Sequence, residues 1–513
     1  MGHVSMRSQL SKAIWNVYWF ILAICMVFYL CLACLRVNLI QSIKGHVIFV
    51  IVLLALTLVR QFIKVTPGRK SVIFLCVATF LTRMIHYSFA QGKVTQIMDL
   101  KTVLDKAGTG DFSDKLEYYR MYLHKFLYPW LLHVLHINTQ NRIIIFQCVC
   151  VTFIPLLLYL LGRRVMDEWT GFLAGFLYLI WPAQTVYISV ISEEHLVAPL
   201  TLLLLWLLFS LWDQIGKSEA WKEKNTRTIL FKAFGIGMLG AFCAFLKDWV
   251  SVILVATVIV CIPLLLELNA RKRLLVLASL LLILLGRSCL EKGITAFAEA
   301  KLGVKSGNGV IVYQMYETLT PGVEGQYNAE LQEEYMQLLR QNEYDFNKTQ
   351  KEALEILWNR ILADKGQMPD LLLHKAQTAY EDDYAVFWWA FYAEMTEEEY
   401  EKWKPAIEQM IDIAHYFYLV LVTAMILTVW MLRKKECIFI MLIIQGCMLV
   451  SLLVESQSRY KYSIEPIWAL AIAAGMLFLA DKIAKTPIFE KGKTRLCKKG
   501  EKIKTGENKT AQK

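Results

Sequence analysis

Residues 436–481 read ECIFIMLIIQGCMLVSLLVESQSRYKYSIEPIWALAIAAGMLFLAD, and this stretch decides the class of the molecule. Two apolar runs, 436–455 and 463–481, are each close to the length a helix needs to cross a hydrocarbon layer. Between them stands a short polar segment, Glu455-Ser-Gln-Ser-Arg459-Tyr460-Lys461-Tyr462, followed by Ser-Ile-Glu-Pro466. Charge so near hydrocarbon is costly, which makes the segment a functional-site candidate.

Working outward, similar runs occur at about 13–35, 46–64, 71–90, 142–162, 168–187, 196–213, 228–246, 250–267, 271–287 and 413–432, for twelve in all. The chain of 513 residues is 56% hydrophobic and only 19% charged. Because the runs are continuously apolar rather than alternating, a closed barrel is excluded. The sequence therefore predicts an all-α polytopic membrane protein with about twelve transmembrane helices. The first run, from Ala13, is too long for a cleaved signal and lacks a small-residue cleavage site, so it reads as a retained span.

Lys and Arg in the short loops give the orientation. The clusters are Arg60, Lys64, Arg69 and Lys70; Arg163 and Arg164; Lys217, Lys222, Lys224 and Arg227; Arg271, Lys272 and Arg273; and Arg433, Lys434 and Lys435. Under the twelve-span count all five fall on one side, which reads as the cytoplasm. The tail 482–513, with eleven basic and three acidic residues, falls there too. Both termini are thus expected inside a plasma (cytoplasmic) membrane. Segment 288–411 holds 22 of the 44 Asp and Glu, so the net charge of +11 reflects basic inner loops and gives no sign of nucleic-acid binding. The tail could rest on anionic membrane lipids.

The expected organisation is a two-span extension (1–70), a transmembrane core (71–287) with a long outer loop (91–141), and an outer loop domain (288–411). Three further spans (412–481) and the basic tail follow. In the long outer loop, Ile97, Met98, Val103, Leu104 and Ala107 suit one face of a short surface helix ended by Gly108 and Gly110, with Asp99 near its start. Leu127 to Leu135 makes a second amphipathic piece opening at Pro129. In the outer domain, 329–340, 348–363 and 396–410 have helical periodicity, while Gly322–Gly325 and Met368-Pro369 read as turns. Trp388, Trp389, Phe391 and Tyr392 suit the headgroup zone. The twelve cysteines lie mostly in apolar runs and form no metal-type spacing.

With Asp99, Ala107, Gly108, Tyr128 and Pro129 in the first outer loop, the run Ser192-Glu193-Glu194-His195, and Glu455 to Pro466 before the last span, the chain resembles the GT-C class of membrane glycosyltransferases. The resemblance is to bacterial relatives of the protein O-mannosyltransferases and lipid A aminoarabinose transferases, and covers about residues 70–480. Gly325-Gln-Tyr-Asn328 and Leu373-His-Lys375 extend it. It implies a GT-C-like bundle and a bacterial source. It also implies a polyprenyl-phosphate-linked sugar donor, with transfer to a glycan, lipid or protein acceptor at the outer face of the membrane. Where several relatives carry an Asp-Glu pair, Leu100 follows Asp99; a divalent cation is left open.

Such transfer needs a carboxylate to take the acceptor proton and cations on the leaving phosphate. The resemblance implies Asp99 as base and Arg459 as main phosphate ligand, with Lys247 and Lys461 as helpers, and single displacement with inversion. Tyr460, Glu193, Glu194, His195, Arg83 and Lys375 are further substrate-contact candidates. Each has a plainer reading. Asp99 suits a helix cap, Arg459 suits an interfacial snorkelling residue, and Glu193 with Glu194 suits a solvated turn. Lys247 suits a local pair with Asp248, and Lys375 a solvated loop. Arg83 and His86 suit an ordinary aromatic-rich helix end. Two other functions fit the same layout: a lipid-linked glycan ligase or polymerase, and a transporter or flippase without covalent chemistry. The second is disfavoured because Pro155, Pro182, Pro263 and Pro466 show no matching register between halves.

Overall fold

A computed structural model describes residues 6–35, 39–62, 66–90, 96, 98–217, 223–305, 310–392, 397–431 and 433–487. Lys64, Ile97, Lys222, Cys497 and the tail beyond residue 487 lie outside the described residues. The first helices are α1 (Met6–Leu35), α2 (Leu39–Phe62) and α3 (Arg69–Ala90). A long loop then carries α4 (Met98–Thr109), α5 (Leu116–Met121) and α6 (His124–Val134). The core continues through α7 (Gln140–Thr152), α8 (Ile154–Val165), α9 (Glu168–Ile180), α10 (Pro182–Val186), α11 (Glu194–Lys217), α12 (Glu223–Leu246), α13 (Ser251–Glu267) and α14 (Ala270–Leu302). An extramembrane domain holds α15 (Val310–Thr318), α16 (Ala329–Gln341), α17 (Phe346–Ala363), α18 (Met368–Tyr380) and α19 (Tyr384–Phe387). The chain closes with α20 (Glu397–Met431), α21 (Lys435–Leu453) and α22 (Glu465–Ala484).

Among the described residues, eleven helices are long and apolar enough to cross a membrane, or twelve if the bent pair Glu168–Ile180 and Pro182–Ser189 counts as one span. There is no strand among them. The molecule is an all-α polytopic membrane protein, as its apolar runs require. Two runs belong to longer helices than the sequence suggested: α14 continues to Leu302 and α20 begins at Glu397, so the proposed boundaries at 288 and 411 fall inside helices. The extra turns are amphipathic and pack in part on protein, with Ala298 and Leu302 against Phe112, Tyr119 and Phe126 of the long loop.

Close helix contact in the core depends on small residues. A Cβ on Gly237 of α12 would collide with the backbone of Ile283 on α14, and one on Gly286 with that of Phe234. The two backbones can touch only because both positions are glycine.

The bend between α9 and α10, 64°, has an identifiable cause. Pro182 has no N–H, so the carbonyl of Tyr178 lacks its i+4 donor. Arg83 of α3 supplies the donor instead: its guanidinium bonds Tyr178 O at 2.9 Å and Leu179 O at 2.8 Å. Arg83 is fully buried, and the negative end of the α9 dipole faces its charge. Arg83, a substrate-contact candidate by sequence, is thus bonded to the bend.

The basic loops meet at one end of the bundle and pair there with carboxylates. Arg60 reaches Asp167 at 2.6 Å and Asp481 at 2.9 Å, and Arg164 reaches Asp213 at 2.5 Å and Glu436 at 3.2 Å. Lys435 pairs with Glu267, and Lys434 donates to Val165 O at 3.1 Å.

At the opposite end, α15, α16 and α17 surround a core of Tyr313, Tyr316, Tyr335, Leu339, Ala353 and Leu357, joined by Met121 of the long loop. Glu117 fastens the same junction, accepting from Arg340 at 3.0 Å and from Tyr344 at 3.0 Å. Two local expectations change here. Met368-Pro369 starts α18 rather than a turn, with proline in the first helical turn where its missing N–H costs nothing. Likewise α6 begins at His124, so Pro129 lies inside the helix and Lys125 on its first turn.

Candidate functional site

Four elements converge at the end of the bundle remote from the basic loops: the start of α6, the start of α11, the end of α12, and the loop between α21 and α22. The start of α11 is fixed by two buried glutamines. Gln147 of α7 donates to Ile188 O and Val190 O at 3.2 and 3.0 Å and accepts from Ser192 N at 3.1 Å. Gln96 donates to Ser189 O at 3.1 Å and accepts from Ile191 N at 2.9 Å. The carbonyl of Glu193 then receives Leu196 N and Val197 N, each at 3.0 Å, and opens the helix.

Glu193 and Glu194, both buried, point their carboxylates at two lysines. Lys125 approaches Glu193 at 3.1 Å, and Lys247 lies 2.6 Å from Glu194 and 3.6 Å from Glu193. Burial opposes ionisation of Glu193, but the two ammonium groups outweigh it and hold the carboxyl far below the usual carboxylate range. The solvated-turn reading of these glutamates is thereby corrected. Lys247 pairs with the α11 glutamates, not with Asp248 as a local pair would require.

Arg459 sits on a single 3-10 turn, Ser458–Lys461. Its guanidinium lies over Trp389, 3.9 Å from the ring centroid, and 5.1 Å from that of Tyr460. Among the described residues it forms no ion pair, and its buried Nε has no hydrogen-bond partner. Tyr460 donates to Glu455 Oε2 at 2.6 Å, and Lys247 lies over its ring at 5.2 Å. Gln457 donates to Glu455 Oε1 at 2.5 Å and accepts from Trp389 Nε1 at 3.3 Å. The arginine is thus held against two rings, with its buried Nε unpaired.

Asp99 is exposed, in the first turn of α4, next to Met98 with φ +47°. Burial, and then the Asp99 carboxylate beside its hydroxyl, keep the Tyr118 phenol protonated well above its usual range. Burial opposes the charge of Lys125, but Glu193 and Asp99 hold its ammonium above its ordinary value, against the nearby charge of Arg459. The structure therefore brings Asp99, Lys125, Lys247, Glu193, Glu194, Arg459 and Tyr460 into one neighbourhood.

Three other candidates stand apart. Lys461 is buried and pairs with Asp383 at 2.9 Å while donating to Ala379 O and Asp382 O, so it is committed to the protein. Glu465 accepts from Gln184 at 2.6 Å in the same buried layer. His195 is also internal: Nε2 faces Val190 O at 3.1 Å and so carries a proton, and Nδ1 lies 3.0 Å from the Tyr462 hydroxyl. Lys375 is fully buried rather than solvated, and its ammonium donates to backbone carbonyls. A cavity of about 200 Å³ lined by Asp382, Asp383, Asp412 and His415 lies against the Asp383 pair, not against Arg459.

Lys125 and the two glutamines were missed in the sequence. Gln147 and Gln96 give no local signal, since their partners lie about forty and ninety-five residues away. Lys125 had one faint signal, a lone ammonium in an otherwise aromatic and aliphatic segment. Among the described residues, no three His, Cys, Asp or Glu side chains are grouped so as to hold a metal ion. No known family model and no curated protein matches this chain.

Proposed function

We propose that the protein is a GT-C-like glycosyltransferase that takes a sugar from a polyprenyl-phosphate donor at the outer face of a cytoplasmic membrane. The observation that carries this reading is Arg459: a guanidinium stacked on two aromatic rings, without an ion pair among the described residues, beside two lysines at the mouth of a membrane bundle. Such a group suits phosphate, because its planar fork matches two phosphate oxygens and its ring contacts fix the plane. Lys125 and Lys247 add positive charge, and Glu193 and Glu194 hold both ammonium groups in place.

On this reading the phosphate of the donor bonds to Arg459 and its sugar extends toward Asp99. The acceptor hydroxyl gives its proton to the Asp99 carboxylate as its oxygen bonds to the anomeric carbon. The bond from that carbon to the phosphate oxygen breaks, and its electron pair leaves on the phosphate, where Arg459 and Lys125 stabilise it. One displacement inverts the anomeric centre. Exposure of Asp99 leaves room for an acceptor.

The test is thermal stabilisation of the solubilised protein by a polyprenyl phosphate, with the uncharged polyprenol as control. A shift specific to the phosphate and lost in Arg459→Ala is expected. Equal shifts with polyprenol, or an undiminished shift in the variant, would rule the reading out.

A further inference from the structure

The extramembrane domain and the arginine loop meet at one buried ammonium that the mechanism leaves unused. Lys375 of α18 donates to Val454 O at 2.7 Å, Gly325 O at 3.3 Å and Thr318 O at 3.5 Å. Those carbonyls belong to the start of the arginine loop, the turn 319–328, and the end of α15. Ser456 N also bonds Gly325 O at 3.1 Å, tying turn to loop directly. Gly325, at φ +73°, is needed here, since a Cβ would collide with the Lys375 side chain. The far end of the turn is held by Glu317, which accepts from Asn328 N at 2.8 Å. From Val454 the order passes to Glu455, which fixes Tyr460 and Gln457, and so to the rings that hold Arg459.

We propose that Lys375 is a positioning residue: its side-chain nitrogen staples the 319–328 turn to the 454–461 loop, so that the extramembrane domain sets the place of Arg459. The consequence for donor binding rests on the function proposed above; the staple itself does not.

The charged groups acting on the ammonium are Glu455 from the loop and Glu317 from α15; Tyr313 of α15 bonds Glu317, with Tyr122 of the long loop against its ring. Burial lowers Lys375 to about 7 against the pull of Glu455 and Glu317. Burial also raises Glu317 to about 7, against the Asn328 amide and the Tyr313 hydroxyl. By linkage, Glu317, raised to about 7, loses stability as pH rises from 4.5 to 7, while Lys375, lowered to about 7, gains it as pH rises further, so the staple is weakest near neutrality and firmer on the alkaline side.

Hydrogen exchange of the full chain in detergent, corrected for intrinsic rates, reads this directly. Peptides covering 319–328 and 454–461 are expected to exchange severalfold faster in Lys375→Met than in the wild type, and to do so together. Gly325→Ala, which displaces the lysine without removing it, should act alike, and serves if the first variant does not fold. In the wild type the same peptides should exchange roughly tenfold slower at about pH 9 than at about pH 7, a slowing that Lys375→Met lacks. Wild-type rates in both variants, a response in only one segment, or the same slowing in Lys375→Met overturns the staple. A polyprenyl methyl phosphodiester tests the link to the site: its affinity should fall severalfold in Lys375→Met. Unchanged affinity in that variant overturns the link to Arg459. A wild type that binds none sinks the functional reading, and the exchange result alone then decides the staple.

Discussion

Replacing Arg83 by Met tests whether the bend in α9–α10 depends on a borrowed donor. The guanidinium makes two bonds to backbone carbonyls, at 2.8 and 2.9 Å. Hydrogen bonds from charged donors contribute about 1.5–3 kcal/mol each, and carbonyls left unpaired in a buried site add to the loss. Relief from burying the charge offsets part of it, so the net cost should be about 3 kcal/mol. The decisive comparison uses Pro182→Ala. An alanine at 182 restores the N–H that Tyr178 O lacks, so in that background Arg83→Met should cost only about half as much. Reversible unfolding in mixed micelles by titration with a denaturing detergent, followed by far-ultraviolet circular dichroism, measures all four proteins. An equal cost in both backgrounds would show that Arg83 does not replace the proline's missing donor. A cost near zero in the native background would dispose of the capping role altogether.

Asp99→Asn should leave unfolding unchanged, because Asp99 is exposed, and should abolish sugar transfer once a donor is identified; retained transfer removes it as base. Lys247→Met should destabilise by about 2–4 kcal/mol, since it leaves the buried Glu194 carboxylate without its 2.6 Å partner, and a second change of Glu194→Gln should recover most of that in the same unfolding assay. Glu317 has its folded pKa raised by burial from 4.5 to about 7, so its contribution to stability is complete below pH 4.5 and is lost as pH rises through 7. Unfolding titrations from about pH 4.5 to pH 7 should show Glu317→Gln free of a decline of about 2–3 kcal/mol that the wild type displays; parallel curves would contradict it.

The spans were legible in the sequence because each is a continuous apolar run, and hydrocarbon leaves a chain few choices. The start of α11 was legible too, as Ser192 to His195 interrupts that monotony. What could not be read was the destination of each charge. Lys247 has Asp248 as its chain neighbour, yet its carboxylates come from α11. Lys461 and Arg459 are two residues apart on one short turn, and opposite directions commit the first to Asp383 and leave the second against Trp389. Lys375 looked solvated because nothing beside it in the chain accepts its ammonium; its three carbonyls lie 57, 50 and 79 residues away. Pro182 announced a break, but nothing near it named Arg83 as the remedy.

The Arg83 bonds also bear on how the protein is made. Tyr178 O finds its donor 95 residues earlier in the chain, so α3 has left the ribosome well before the bend is synthesised. When α9 enters the bilayer, the side chain that completes its end is already there, and the two helices must meet before the bend is satisfied. Reversing that order, as in a circular permutant opening between α3 and α9, would oblige the newborn α9–α10 corner to wait in lipid with open carbonyls, exposed to quality control until its arginine arrived.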